Sequence, residues 1–255
     1  MITFSLQSGS NGNAIYVEAE GVRLMFDAGI SAKQAKLRMQ QRGRSMQGLD
    51  GLILSHDHSD HVRHAGSYAR LFRLPVYCTR RTHTAVQYQL GPVEDLSYFQ
   101  AGETLSFGEG RVRVRTIPTP HDAVDGVCFV VECAAGKLGI FLDLGHPFLL
   151  LHSALRSVDA CYIESNYDPQ MLEAGPYSPE LKERIRGERG HISNIEAAEL
   201  LAGCGKRLRW AALAHLSAEN NAPEVALRTH RERLGEDYPL LIATRHSPTE
   251  ILSLE

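Results

Sequence analysis

Seven consecutive residues, Ser55-His56-Asp57-His58-Ser59-Asp60-His61, constrain this chain more than any others. Three histidines and two aspartates follow one another within six positions, directly after the apolar run Leu52-Ile53-Leu54. A short apolar run bounded by polar residues reads as a buried strand. If that strand ends where the histidines begin, their side chains emerge together at a sheet edge. Gathering so many titratable groups costs free energy unless an ion compensates them. Imidazole and carboxylate are ligand types that suit zinc, manganese and iron. His56 and His58 are spaced to address one divalent ion, and Asp60 and His61, a step later, to reach a second.

The 255 residues suffice for a substantial core, and we expect one domain over 1–255. A net charge of −3 gives no general basic surface. The N-terminus lacks the basic start and long apolar core of a signal peptide, and no run is apolar and long enough to span a bilayer. Cys78, Cys128, Cys133, Cys161 and Cys204 are odd in number and form no C-x-x-C pair. They read as reduced thiols, mostly buried, of a cytoplasmic protein.

Ile2, Phe4 and Leu6 alternate with polar residues as in a half-buried strand, and the turn Ser8–Asn13 follows. Further strands are expected at 14–17, 22–26, 52–54, 75–77, 111–117, 127–132, 137–142, 160–163, 210–214 and 240–243. Helices are expected at 31–41, 62–72, 79–89, 148–157, 181–189, 195–202 and from Pro223 to about 234. Strands end in polar residues at 27, 56, 121, 143, 164 and 215, and strand ends are where α/β folds build sites. Hairpins followed by mixed strands and helices, twice over, suggest two sheets packed face to face with helices outside. Arg111, Arg113 and Arg115 share one face, either solvated or facing phosphates.

The 55–61 cluster, the isolated His121, Asp143 after Gly139-Ile140-Phe141-Leu142, and His215 before Leu216-Ser217 resemble the five motifs of the metallo-β-lactamase fold. The resemblance spans nearly the whole chain. It implies an α/β, αββα four-layer sandwich of two mixed sheets with outer helices and a two-metal site. By that match His56, His58 and His121 hold one metal, Asp60, His61 and His215 hold the other, and Asp143 bridges them. Two close dications repel, so an anion between them is electrostatically needed. Asp27 and Glu164 are then candidates to support the ligands from behind. Flavodiiron oxygen reductases of this fold usually carry glutamate at the position of His58; a histidine favours hydrolysis over redox chemistry.

A finer resemblance rests on Ser8–Asn13, His121-Asp122-Ala123, Glu164–Asp168, Leu181–Gly187, Gly190–Asn194 and His215–Asn221. These are similar to the YycJ/WalJ-type branch, near the ribonuclease Z-like phosphodiesterases. That branch implies a 5′-to-3′ exonuclease-like phosphodiesterase, in which hydroxide bridging two divalent metals attacks phosphorus. Zinc is the leading expectation for the ions, with manganese or iron also suited. The partner is expected to be a DNA or RNA end or a small phosphodiester, and no membrane. The chain lacks the inserted domain of β-CASP nucleases and the exosite arm of transfer-RNA 3′-processing enzymes, which argues for a small, open site. Tyr167 and Leu144 depart from the branch's usual residues.

His191 is not needed among the seven ligands, so it is expected to hydrogen-bond a phosphate oxygen or protonate the leaving oxygen. Asp60 is a second candidate for holding that proton, although a metal ligand should stay ionised. Asn166, Ser193 and Asn194 are expected to contact substrate, and Ser193 or Asn194 to cap the helix that starts at Ile195. Arg63, Arg70, Arg73, Lys182, Arg184, Arg186 and Arg189 are candidates to follow a phosphate backbone, or else form solvated helix faces. Tyr68, Tyr167 and Tyr177 are candidates to stack bases, or else pack. Two other functions remain open: a lactonase or thioesterase resembling glyoxalase II, and a non-catalytic nucleic-acid-binding partner.

Overall fold

The alternation at the start of the chain forms β1 (Ile2–Gln7), which pairs antiparallel with β2 (Ala14–Ala19), itself paired with β3 (Val22–Phe26). The computed structural model describes residues 1–254. After α1 (Ala32–Gln41) the chain turns to parallel pairing. β4 (Gly51–Ile53) lies beside β3, followed by α2 (Ser59–Val62), α3 (Ala65–Phe72), β5 (Val76–Cys78), α4 (Arg80–Leu90) and β6 (Leu96–Tyr98).

The second half repeats the plan. β7 (Thr104–Phe107), β8 (Val112–Pro118), β9 (Val127–Cys133) and β10 (Gly136–Phe141) are antiparallel neighbours. Next come α5 (Leu149–Ser157), β11 (Ala160–Glu164), α6 (Pro169–Ala174), α7 (Pro179–Arg186), α8 (Asn194–Cys204), β12 (Trp210–Ala214), α9 (Pro223–Leu234) and β13 (Leu240–Ile242). β10 to β13 run parallel. β14 (Leu252–Ser253) returns to the edge of the first sheet, beside β1.

The result is two seven-stranded mixed sheets, β14-β1-β2-β3-β4-β5-β6 and β13-β12-β11-β10-β9-β8-β7. One apolar cluster joins their inner faces, with Phe26 and Phe129 rings 5.0 Å apart across it. A second packs Ala35, Met39, Tyr68 and Val86 on the outside of the first sheet, and a third packs Leu151, Leu155, Leu201 and Ala226 outside the other. Burial on both faces explains why the central strands read as continuous apolar runs. This is the αββα sandwich. Among the described residues no helix is long and apolar enough to cross a membrane. All five cysteines are free, and only Cys133 is not fully buried.

Several expected boundaries move. The helix expected over 62–72 is two helices, because the His64 amide leaves the helical ladder to donate to the Ala28 carbonyl at 2.9 Å. The helix expected over 181–189 begins at Pro179, capped by Ser178, and ends at Arg186. Ser178-Pro179 is a capping residue followed by proline in the first turn, which starts a helix. Asp168-Pro169 opens the unanticipated α6 in the same way. The short strands β6 and β7 were likewise not evident from periodicity.

Candidate metal centre

Six strand ends converge at one edge of the sandwich. β3 delivers Asp27, β4 the Ser55–His61 loop, β8 the loop with His121, β10 Asp143, β11 Glu164, and β12 His215. Asp27, Asp143 and His215 all turn with left-handed backbone, at φ 63°, 53° and 55°. Such conformations are uncommon without glycine and persist only where surroundings impose them, often at functional sites. The loops interlock: the Asn13 amide donates to the Asp60 carbonyl at 2.8 Å and the Ala28 amide to the His61 carbonyl at 2.6 Å. Gly29 permits this approach, since a Cβ there would stand 1.7 Å from the Asp60 oxygen.

The imidazoles meet in overlapping groups. His56, His58 and His121 present nitrogens within 4.8 Å of one another, as do the ligand atoms of Asp60, His61 and His215. Asp143 lies between them: one oxygen is 3.1 Å from His61 Nε2 and the other 3.5 Å from His121 Nε2. Partners behind the rings fix which nitrogen faces inward. His61 Nδ1–H donates to Asp27 at 2.7 Å, His121 Nδ1–H to the Gly190 carbonyl at 2.7 Å, and His56 Nδ1–H to Ser55 Oγ at 2.8 Å. Each turns Nε2 toward the centre, where His61 Nε2 lies 3.0 Å from the Asn13 amide nitrogen and His56 Nε2 has no hydrogen-bond partner among the described residues. His58 is reversed: its Nδ1 is 3.2 Å from His121 Nε2, and its Nε2 is 3.4 Å from Asp122.

Two atoms test whether a cation fits. Among the described residues His56 Nε2 and Asp143 Oδ2 are buried and make no well-formed hydrogen bond, Oδ2 despite lying 3.1 Å from His61 Nε2, and both belong to the cluster. Buried polar atoms seldom stay unsatisfied in a native protein, and a divalent ion is the partner this donor set suits. The ion-free electrostatics agree. Burial would raise Asp60, Asp143 and Glu164, but the neighbouring histidines hold Asp60 and Asp143 far below the carboxylate range and Glu164 at about 2. Burial would lower His61 and His215, but Asp143 and its fellow carboxylates hold His61 high and His215 at about 10. Burial does prevail at His56 and His121, which are pushed down. Without cations, then, protons on His61 and His215 balance the carboxylates.

A cleft of about 210 Å³ opens over His58, Asp60, Asp143, His191 and His215, walled by Asn166, Tyr177, Leu181 and Ile185. His191 Nδ1 is 2.7 Å from Glu164 Oε1, which also lies 3.1 Å from His215 Nδ1. Asn166 reaches the cleft, with its amide nitrogen donating to the His215 carbonyl at 2.9 Å.

Ser193 and Asn194 do not face the cleft as substrate contacts. Ser193 caps α8 in a reciprocal box with Glu196. Asn194 is fully buried, accepting from Ser165 Oγ at 2.6 Å and donating to Asn221 at 3.0 Å. Tyr68 cannot stack a base, being buried with its hydroxyl on the Ile30 carbonyl. Tyr167 is buried too, while Tyr177 lies on the cleft wall. Arg113 and Arg115 are solvated. Arg70 holds the Leu90 carbonyl, Arg184 holds Asp122, and Arg186 pairs with Glu173 and Glu183.

The residues missed were Asn13, whose amide nitrogen is 3.2 Å from Asp60 Oδ2, and Asp122. Asp122 directly follows His121, and Asn13 ends the turn Ser8–Asn13, so both stood within motifs already singled out.

Residues 8–134 match the Metallo-beta-lactamase superfamily. Exodeoxyribonuclease YycJ of Bacillus anthracis is 32% identical over 224 residues, covering 87% of this chain and 84% of that protein. The chain belongs to the metallo-β-lactamase superfamily, in its YycJ/WalJ-type branch. Exodeoxyribonuclease WalJ of Streptococcus pneumoniae serotype 2 strain D39 is 31% identical over 236 residues, 91% of this chain and 87% of that one. The fold is shared with the metallo-β-lactamase fold protein YhfI of Bacillus subtilis at TM-score 0.75 and 17% identity, over 98% of this chain and 99% of that one. This YycJ/WalJ-type chain is a metal-dependent hydrolase.

Proposed function

We propose that this hydrolase is a dinuclear-metal phosphodiesterase, a 5′-to-3′ exonuclease-like nuclease acting in the cytoplasm on DNA or RNA ends, with residues 1–255 as one catalytic domain. The observation that carries the proposal is the pair of orphaned atoms, His56 Nε2 and Asp143 Oδ2, inside a ring of inward-facing nitrogens. The names of the YycJ and WalJ relatives support a DNA substrate.

His56, His58 and His121 would hold one ion, preferably zinc, and Asp60, His61 and His215 the other, with one Asp143 oxygen turned to each group. Two such cations, when bound, supply an activated water near neutral pH and draw off charge developing around phosphorus. The remaining work falls to the chain. Glu164 orients His191 over the cleft, where its free Nε2 can donate to a phosphate oxygen or protonate the leaving oxygen. Asp60 stays ionised among its histidines, so it does not hold that proton. Leu181, Ile185 and Tyr177 form a wall against which a sugar or base can rest.

The test is a metal-content measurement combined with a substrate screen. Zinc- or manganese-loaded protein should hydrolyse bis-p-nitrophenyl phosphate and end-labelled oligonucleotides, and His58→Ala should lose turnover together with part of its metal. A lactone or thioester outperforming every phosphodiester would reject the proposal in favour of ester hydrolysis.

A further inference from the structure

A second cleft, of about 510 Å³, is lined by Thr79, Arg80, Arg81, Tyr98, Gln100 and Asp125 among others. Its place follows from the sheet. β4, β5 and β6 are parallel neighbours, so their C-terminal ends stand side by side, about 4.8 Å from strand to strand. The first end carries the histidine loop, the second Thr79-Arg80-Arg81, and the third Tyr98-Phe99-Gln100. Backbone bonds hold these ends in register: the Leu54 amide donates to Tyr77 at 2.9 Å and the Phe99 amide to Cys78 at 3.2 Å. At the near end the Val124 amide donates to Asp57 of the histidine loop at 2.9 Å, and Asp125 borders the cleft. Asp125 is four residues from His121, at most about 14 Å of extended chain.

The far wall combines cation and ring. The Arg80 guanidinium lies 4.3 Å from the centre of the Tyr98 ring, and a hydrogen bond of 2.9 Å between the Tyr98 hydroxyl and His83 Nδ1 fixes that ring. Among the described residues neither Arg80 nor Arg81 has a carboxylate partner, unlike Arg184 and Arg186. Both arginines are exposed. Of the carboxylates in the wall, Glu103 accepts the Gln100 amide at 2.7 Å, and Asp125 lies at the end nearest the histidines.

We propose that this cleft binds a single-stranded nucleic-acid segment continuing from the phosphate held at the metal centre. Arg80 and Arg81 would take backbone phosphates, and the Arg80–Tyr98 stack would support a base. A guanidinium stacked on an aromatic ring gives every base a flat surface without reading its identity, and phosphate neutralisation supplies the affinity. The inference rests on the nuclease reading above and extends it to the flank of the substrate.

The experiment compares metal-loaded wild type with Arg80→Glu/Arg81→Glu and with Tyr98→Ala. Substrates are bis-p-nitrophenyl phosphate, which has no second phosphate for Arg80 and Arg81 to hold, and end-labelled single-stranded oligonucleotides. Both variants should raise the oligonucleotide KM at least about fivefold while leaving turnover of the small diester unchanged. That unchanged turnover also shows that the variant is folded. The double variant should flatten the log–log salt dependence of oligonucleotide binding by about 0.7 for each phosphate no longer neutralised. An oligonucleotide KM and salt slope equal to wild type would overturn the cleft's role while the nuclease reading stands. Wild-type protein that hydrolyses the small diester but no oligonucleotide would overturn the nuclease reading, and this occupant with it.

Discussion

Asp27 shows how much a single side chain contributes before any substrate arrives. Its carboxylate accepts the Ser55 amide at 2.8 Å, the Ser55 hydroxyl at 2.9 Å and His61 Nδ1–H at 2.7 Å. Asparagine tolerates the left-handed backbone there but cannot accept all three bonds, so the His61 tautomer is released. Asp27→Asn should therefore fold yet bind metal about 10- to 100-fold more weakly, measured by competition with a chromophoric chelator; unchanged affinity would make Asp27 only a turn residue. His191 calls for the opposite outcome. Its Nδ1 is engaged by Glu164, and it lies outside the two groups assigned to the ions, although Asp143, Glu164, His191 and His215 also come within 4.8 Å of one another. His191→Ala should keep its metal and lose about 10²- to 10⁴-fold in kcat. Metal loss in that variant would make His191 a ligand.

At the scale of elements, polar strand ends at 27, 56, 121, 143, 164 and 215 were legible because strands place their last residues at a common edge. Side-chain direction beyond those ends was not. Ser193 and Asn194 follow His191 in sequence, but one is consumed by capping α8 and the other by a buried amide network with Asn221. The cap was legible in the sequence; what spacing did not show is that capping leaves Ser193 no free group for substrate. α9 carries a feature outside the site. His230 is fully buried, donates Nδ1–H to the Ala226 carbonyl at 2.9 Å and, among the described residues, has no partner for Nε2. Burial pushes it down to about 4, with the Ala226 bond opposing. The folded state thus binds this proton less readily than the unfolded state, whose histidine titrates near 6.5. Its contribution is intact above 6.5, falls as pH drops below that, and is fully lost below about 4. The loss is on the order of 3 kcal/mol. Urea unfolding at several pH values should show the wild-type-minus-His230→Leu stability difference changing between these limits; a constant difference would refute the assignment.

The whole molecule places the metal centre where the two halves meet. Asp27 and residues 55–61 belong to the first sheet, whereas His121, Asp143, Glu164 and His215 follow strands of the second. Elsewhere the sheets are held by apolar packing around Phe26 and Phe129 and by side-chain bonds such as Trp210 Nε1–H to the Ser253 carbonyl at 3.1 Å. A cation bound across the centre would join both sheets in the folded state and have no preformed site in the unfolded one. Free metal at a thousandfold its Kd should then add about 4 kcal/mol, roughly 10 °C in Tm for a chain of this size. The increment should be smaller in His58→Ala, which loses a ligand of one ion and keeps the group of Asp60, His61 and His215. Its pH dependence has a definite sign. His61 and His215 are held protonated in the ion-free centre by Asp143 and neighbouring carboxylates. Both must lose that proton to act as ligands, so metal binding releases protons and the increment shrinks toward acid pH. Scanning calorimetry of chelator-treated and zinc- or manganese-loaded protein at two pH values measures both effects. Equal Tm with and without metal would mean that the sheets are not joined through this centre.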